Sequence, residues 1–250
     1  MNPILLFLRY LDGVVVGWIT AGAQVALSQV VFYPLRWTGP AIVLLAWSRD
    51  LAWGALAGAL ALAAVAAVWP TLVQLAPARP WSGLLVRAVL AAMVMGGLPS
   101  LMQMLLSLNN AVVAALISGS AGTLDWSGGA LAASPLMLLG LEGALGALVL
   151  YLSLWYVVRA VYVYWLAAWV PWAALGFVAS GDPGVLWRPC RRLLALVLVQ
   201  AAQAAGWWIT VRLVVQAASF GGMLVAAGGL WFLARIPNEV GRLGGERTLW

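Results

Sequence analysis

The chain has 250 residues, of which 65% are hydrophobic and 8% charged, with a formal net charge of +6. Soluble domains carry about 25% charged residues, so this composition, with a mean hydropathy of +1.01, excludes a water-soluble fold. All thirteen basic residues are arginine, Lys and His are absent, and seven carboxylates oppose them, a balance that fits arginines retained on the cytoplasmic side of a membrane better than a nucleic-acid patch.

Cys190 is the only cysteine, so neither an intramolecular disulfide nor a cysteine metal cluster can form. The opening MNPILLFLRYLDG lacks a charged region ahead of its apolar stretch and a small-residue cleavage site after it, and reads as no removable signal peptide.

Each crossing needs about 20 apolar residues, and the first such stretch covers 13–32, where Thr20, Gln24 and Ser28 fall on one helical face. Apolar sequence resumes at Ala41, is interrupted by Arg49 and Asp50, and gives a clean span over 51–69 that ends before Pro70. Within it Gly54 and Gly58 form a G-x-x-x-G, the spacing that lets two helix backbones approach closely. A loop with Pro70, Pro77, Arg79, Pro80 and Trp81 leads to a third span over 84–108, in which Pro99 predicts a kink and Gln103, Asn109 and Asn110 lie beyond it.

Residues 111–134 are rich in Ser, Gly and Ala and contain no basic residue, which marks a non-cytoplasmic loop. The fourth span, 135–158, carries Glu142 about two turns in, lines one narrow face with Gly140, Gly143 and Gly146, and is ended or interrupted by Arg159. Residues 160–179 are apolar but hold Pro171 among Trp165, Trp169 and Trp172, an aromatic density typical of the membrane interface, and read as a re-entrant or interfacial segment. A turn with Asp182, Pro183, Arg188, Pro189, Arg191 and Arg192 precedes a span over 193–218, and a short span over 220–235 precedes a polar tail, 238–250. The fold class is all-α, a polytopic membrane protein of about six spans. If 160–179 does not cross, ten arginines gather on the cytoplasmic side with both termini, and only Arg36 and Arg49 fall outside.

Side-chain chemistry argues against an enzyme. No histidine is present, Asp12, Asp50, Asp125, Glu142, Asp182, Glu239 and Glu246 show no paired spacing, and neither a phosphate loop nor a nucleophile elbow occurs. No cofactor is expected. An ionisable group at membrane depth costs about 2.5–3.5 kcal/mol on translocon scales, so Glu142 and Arg212 need an explanation: a salt bridge, a polar pathway, an inter-subunit contact, or snorkelling to water. Gln200, Gln203 and Thr210 share one side of their helix while Arg212 and Gln216 lie elsewhere; helix–helix hydrogen bonding is the plainer account of such glutamines and a substrate pathway the sharper one.

From Val86 onward the order of features resembles a known family. VRAVLAAMVMGGLPSLMQMLLSLNN (86–110) is a kinked span running into asparagines, and RAVYVYWLAAWVPWAALGF (159–177) joins an arginine, aromatic residues and a mid-segment proline. LWRPCRRLLALVLVQAAQ (186–203) introduces a glutamine-bearing helix with Trp and arginines, and FLARIP (232–237) follows near the end. Together these resemble the TrbL-like, or VirB-six, polytopic inner-membrane subunit of type IV secretion and conjugation systems. The resemblance implies a non-catalytic subunit of the bacterial inner membrane that assembles with copies of itself, with other secretion-machine subunits and with partner ATPases, and helps DNA or protein to cross. The large periplasmic domain of some members has no counterpart in the short 111–134 segment. The alternatives are a small-solute transporter or channel, for which interrupted helices and polar groups near the midplane are expected, and a membrane scaffold or pore former.

Overall fold

A computed structural model describes residues 7, 10, 13–14, 17–18, 31–37, 39–68, 81–118, 135–216 and 220–243. Among these the protein is all-helical: α1 is Pro40–Val68, α2 Trp81–Ser118, α3 Pro135–Ser180, α4 Pro183–Gln216 and α5 Phe220–Leu243. By length and composition three stretches are able to cross a membrane, Gly83–Ser118, Gly146–Ser180 and Pro183–Leu213, and the chain is a membrane-embedded helical protein.

Several boundaries differ from the sequence reading, each for a local reason. The span expected over 135–158 and the segment over 160–179 are one helix of 46 residues, about 69 Å at 1.5 Å per residue and more than twice the ~30 Å hydrocarbon thickness. Arg159 neither ends nor interrupts it, because an arginine is a good helix former and breaks a span only by its charge. α2 passes the expected end at Leu108 and includes both asparagines. α5 continues through Pro237 to Leu243, so the first part of the expected tail is helical.

Three helix ends are set by turn chemistry. Gly39 at φ 55° precedes Pro40, whose fixed φ suits the first helical position. Gly181 at φ 73° closes α3 in the left-handed conformation, its N–H donating to Phe177 O at 2.8 Å. Asp182 then caps α4, its Oδ1 accepting from Gly184 N at 2.8 Å, with Pro183 at the first helical position.

On α2 and α3 a row of buried residues recurs at alternating steps of three and four. On α3 these are Val149, Leu152, Tyr156, Arg159, Val163, Leu166 and Val170, and on α2 Ala88, Ala91, Met95, Leu98 and Met102. That 3.5-residue period is the seam of helices packed at shallow angles. The opposite faces are also apolar and open, with Trp47 72% exposed, Met93 68% and Leu150 62%; helices apolar all round belong in lipid or a large core.

The chain divides into two compact units, one formed by Met1–Leu35, Ser107–Ala160 and Ala195–Trp250, the other by Arg36–Leu106 and Val161–Leu194. In the second, Ala52 and Leu56 of α1, Ala88, Ala91 and Met95 of α2 and Ala174 and Val178 of α3 form one core, with Leu186 of α4 packed against it. Small residues dominate this core, which lets helices approach closely without large cavities.

Gly54 and Gly58 take no part in it. Both are exposed, and a Cβ at either would meet nothing within 4 Å; the same holds for Gly143, whereas Gly140 lies outside the described side chains. The G-x-x-x-G therefore marks no close contact among the described residues. Close approach occurs instead at Gly206, where a Cβ would stand 2.9 Å from Leu233 and 3.1 Å from Ile236.

Ala52→Leu is expected to overpack the second unit's core and destabilise the protein by about 1–3 kcal/mol. Gly58→Leu on the open face should leave the thermal midpoint in detergent unchanged or higher. Equal loss in the two variants would contradict this assignment of faces.

Candidate functional site

The polar residues of the first unit converge on Arg159, which is 1% exposed at the centre of the α3 seam. Its Nε donates to Leu196 O at 2.7 Å and its Nη2 to Val197 O at 3.0 Å, both on α4. Nη1 lies 3.4 Å from Gln200 Oε1, and the guanidinium carbon is 5.4 Å from the centroid of the Tyr156 ring, one turn back on α3. Helical carbonyls have a second lone pair beyond their intrahelical bond, so α4 accepts these donors without losing its own ladder.

Gln200 carries the network onward. Its Oε1 also accepts from Asn109 Nδ2 at 3.0 Å, and its Nε2 donates to Val31 O and Tyr33 O, each at 3.1 Å. Residues 33–37 are non-helical, with Pro34 among them, so the carbonyls of this stretch lack helical partners. Asn110 supplies a further donor, its Nδ2 reaching Leu35 O at 3.0 Å.

Gln203, one turn beyond Gln200, serves a second helix break. Pro237 has no N–H to offer the carbonyl four residues earlier, which is that of Leu233, and Gln203 Nε2 donates to Leu233 O at 2.9 Å. The Tyr156 hydroxyl donates to Gln203 Oε1, closing a path from α3 through α4 to α5. Two acceptors remain: the buried Oδ1 atoms of Asn109 and Asn110 have no hydrogen-bond partner among the described residues.

Side chains of the second unit also donate to backbone carbonyls of other segments. Ser48 Oγ donates to Ala168 O, next to the Ala167 carbonyl that Pro171 leaves without its helical donor. Tyr164 Oη donates to Arg36 O at 2.9 Å, and Arg87, whose Nη1 is 3.5 Å from Val178 O, reaches a carbonyl in the last turn of α3.

Of the residues singled out in the sequence, Arg159, Gln200 and Gln203 meet in one buried network. Gln103 is exposed on α2 and belongs to the other unit. Arg212 is exposed, within about a turn of the end of α4 rather than deep in a span, with its guanidinium carbon 5.2 Å from the centroid of the Trp208 ring. The Glu142 side chain lies outside the described residues, and with it the Glu142–Arg212 pair. Pro171 is buried within α3 and Pro99 half-buried within α2, both in unbroken helix.

Tyr156, Asn109, Asn110, Ser48 and the carbonyls of residues 31–35 were not among the expected site residues. Tyr156 lies one turn from Arg159 and so on the same face, which is a signal in the sequence; the carbonyl partners leave no such trace. Chemically the network offers a permanent cation and carboxamides that do not titrate. Among the described residues no group of three or more His, Cys, Asp or Glu stands close enough to hold a metal.

Gln203→Leu is expected to strand both Leu233 O and the Tyr156 hydroxyl, at a cost of about 1–2 kcal/mol. Pro237→Ala returns an N–H to Leu233 O, so the double variant should lose less stability than the sum of the two singles. Strict additivity of thermal or denaturant midpoints would show that Gln203 does not act through that carbonyl.

Compared with protein-family models, curated proteins and solved structures, the chain matches none.

Proposed function

We propose that the chain is a non-catalytic, multi-pass subunit of a bacterial inner-membrane translocation machine of the type IV secretion or conjugation kind, forming part of its channel or platform. The resemblance of 86–110, 159–177, 186–203 and 232–237 to the TrbL-like family supplies the class of machine. One observation favours a passive structural part over a pump or enzyme: Arg159, Gln200 and Gln203 all donate to the chain's own backbone carbonyls, at 2.7–3.1 Å. Polar side chains spent on internal carbonyls hold helices in register and are not free to pass a solute.

The proposed topology has six crossings, residues 13–32 and α1 to α5, with both termini cytoplasmic. Residues 160–179 then belong to the passage of α3 instead of forming a separate crossing or re-entry. This places Arg79, Arg87, Arg188, Arg191, Arg192, Arg235, Arg242 and Arg247 on the cytoplasmic side and the arginine-free 111–134 segment opposite. Homo-oligomers, neighbouring membrane subunits and partner ATPases are the expected partners, and DNA or protein the cargo.

A small-solute carrier is the second reading. It draws on two buried oxygens without a hydrogen-bond partner among the described residues, Asn109 Oδ1 and Asn110 Oδ1, in the unit that holds the non-helical stretch near Pro34, since unwound backbone and spare carbonyl oxygens are the components of transporter ion sites.

Mild-detergent extraction from the native host should recover the protein in a multi-subunit particle with other secretion components. A monomer that exchanges a small solute in liposomes would instead support the carrier. For topology, with Cys190 replaced by Ser, a cysteine at Ser120 should react with an impermeant maleimide added to the periplasmic side and one at Ser180 should not; the reverse pattern refutes the orientation.

A further inference from the structure

The turn between α3 and α4 combines two features: a concentration of arginine and, beside it, exposed apolar and aromatic surface. Arg87 is fixed there. Its Nε donates to Gly83 O at 2.9 Å, Nη1 lies 3.5 Å from Val178 O, and the guanidinium packs under Gly181, which has no Cβ to displace it. Leu84 and Leu186 pack against the same core, which brings the first turns of α4 beside the α2 turn that carries Arg87. Trp187 and Arg188 follow Leu186 directly, and Arg191 lies one helical turn beyond Arg188.

Arg188 is exposed and Arg191 half-buried. The described carboxylates of this unit are Asp50, ion-paired with Arg49 at 3.4 Å, and Asp182, whose Oδ1 is engaged in capping α4. Positive charge therefore dominates the turn. Next to it Trp187 is 64% exposed, Val86 60% and Leu85 53%. A soluble phosphate would satisfy the arginines and leave these side chains in water, whereas a phospholipid covers both, its headgroup on the guanidinium forks and its acyl chains along the apolar flank.

We infer that the α3–α4 turn is a binding site for an anionic phospholipid, with Arg87, Arg188 and Arg191 holding the phosphate-bearing headgroup and Leu85, Val86 and Trp187 lining the path of its acyl chains. The site rests on membrane embedding and not on the translocation role, so either can fail without the other. Arg87 is the preorganised element, since two carbonyls orient it before any lipid arrives. Arg188 and Arg191 supply charge.

The test uses the full-length protein in a neutral detergent, titrated with phosphatidylglycerol or with phosphatidylcholine while the thermal midpoint is followed. Phosphatidylglycerol should raise the midpoint and phosphatidylcholine should not. R188Q/R191Q removes two charges, and at the usual contribution of each arginine near an anionic surface the apparent affinity for phosphatidylglycerol should fall about 30-fold. Should that variant fold poorly, a photoactivatable phosphatidylglycerol on the wild-type protein gives an independent reading, with labelled peptides expected around 85–87 and 187–191. Equal shifts with both lipids, an undiminished response in a folded R188Q/R191Q, or labelling confined to other helices would overturn the site. So would an arginine-dependent shift given by a DNA oligonucleotide and not by phosphatidylglycerol, which would assign the turn to nucleic acid.

Discussion

A backbone carbonyl that loses its helical donor inside an apolar medium must find another, because water is not there to supply one. This requirement organises the protein. The non-helical stretch around Pro34 frees the carbonyls of Val31, Tyr33 and Leu35, and Pro237 frees that of Leu233; carboxamides of Gln200, Asn110 and Gln203 close all four. Glutamine and asparagine suit the task because each amide carries two donors and a carbonyl of its own, so one side chain closes a break and accepts a bond from a second helix. Gln200 does so from Asn109, and Gln203 from Tyr156.

Arg159 extends the same logic to a charge. An unpaired ion in the interior is expensive, and burying it is tolerable only when its donors are used. All three guanidinium nitrogens point at acceptors on α4, and the face of the group lies over the Tyr156 ring. Such an arrangement ties α3 to α4 at one register, since a slip by one residue would carry Arg159 away from Leu196 and Val197. Buried polar groups in other systems fix register in this way, at some expense in stability. Exposed arginines such as Arg212 and Arg235, each over a tryptophan ring, follow a different rule: they keep their charge near water and rest their stems on aromatic surface.

Apolar composition established a membrane-embedded helical protein before any coordinates, because no water-soluble fold hides so many hydrophobic side chains. The prolines, glycines and asparagine pair were likewise visible, as were Gln200 and Gln203 as polar residues within a span, while Arg159 was read as the end of one. The break after α3 was legible as a turn at Asp182 and Pro183, but α4 starts there and not at the expected 193, with Pro189, Arg191 and Arg192 inside the helix. Helix ends were misread where a single residue suggested a stop: Arg159 lies within a 46-residue helix and Pro237 within α5, since a charge or a missing N–H ends a helix only if nothing else in the fold meets its demand.

Which face of each helix is buried was beyond the sequence for a physical reason. In a helix that is apolar all round, hydropathy has no phase, and exposed Leu150 and Leu154 look the same as seam-forming Leu152. Tertiary packing chose the seam, placed Arg159, Gln200 and Tyr156 in it, and left Gly54 and Gly58 on an open face despite their spacing. It also decided which carbonyl each amide would meet, because those partners lie 30 to 169 residues away along the chain and are backbone atoms that every residue possesses. Composition thus determined the solvent in which this protein folds, and only the three-dimensional arrangement determined how its helix breaks are satisfied there.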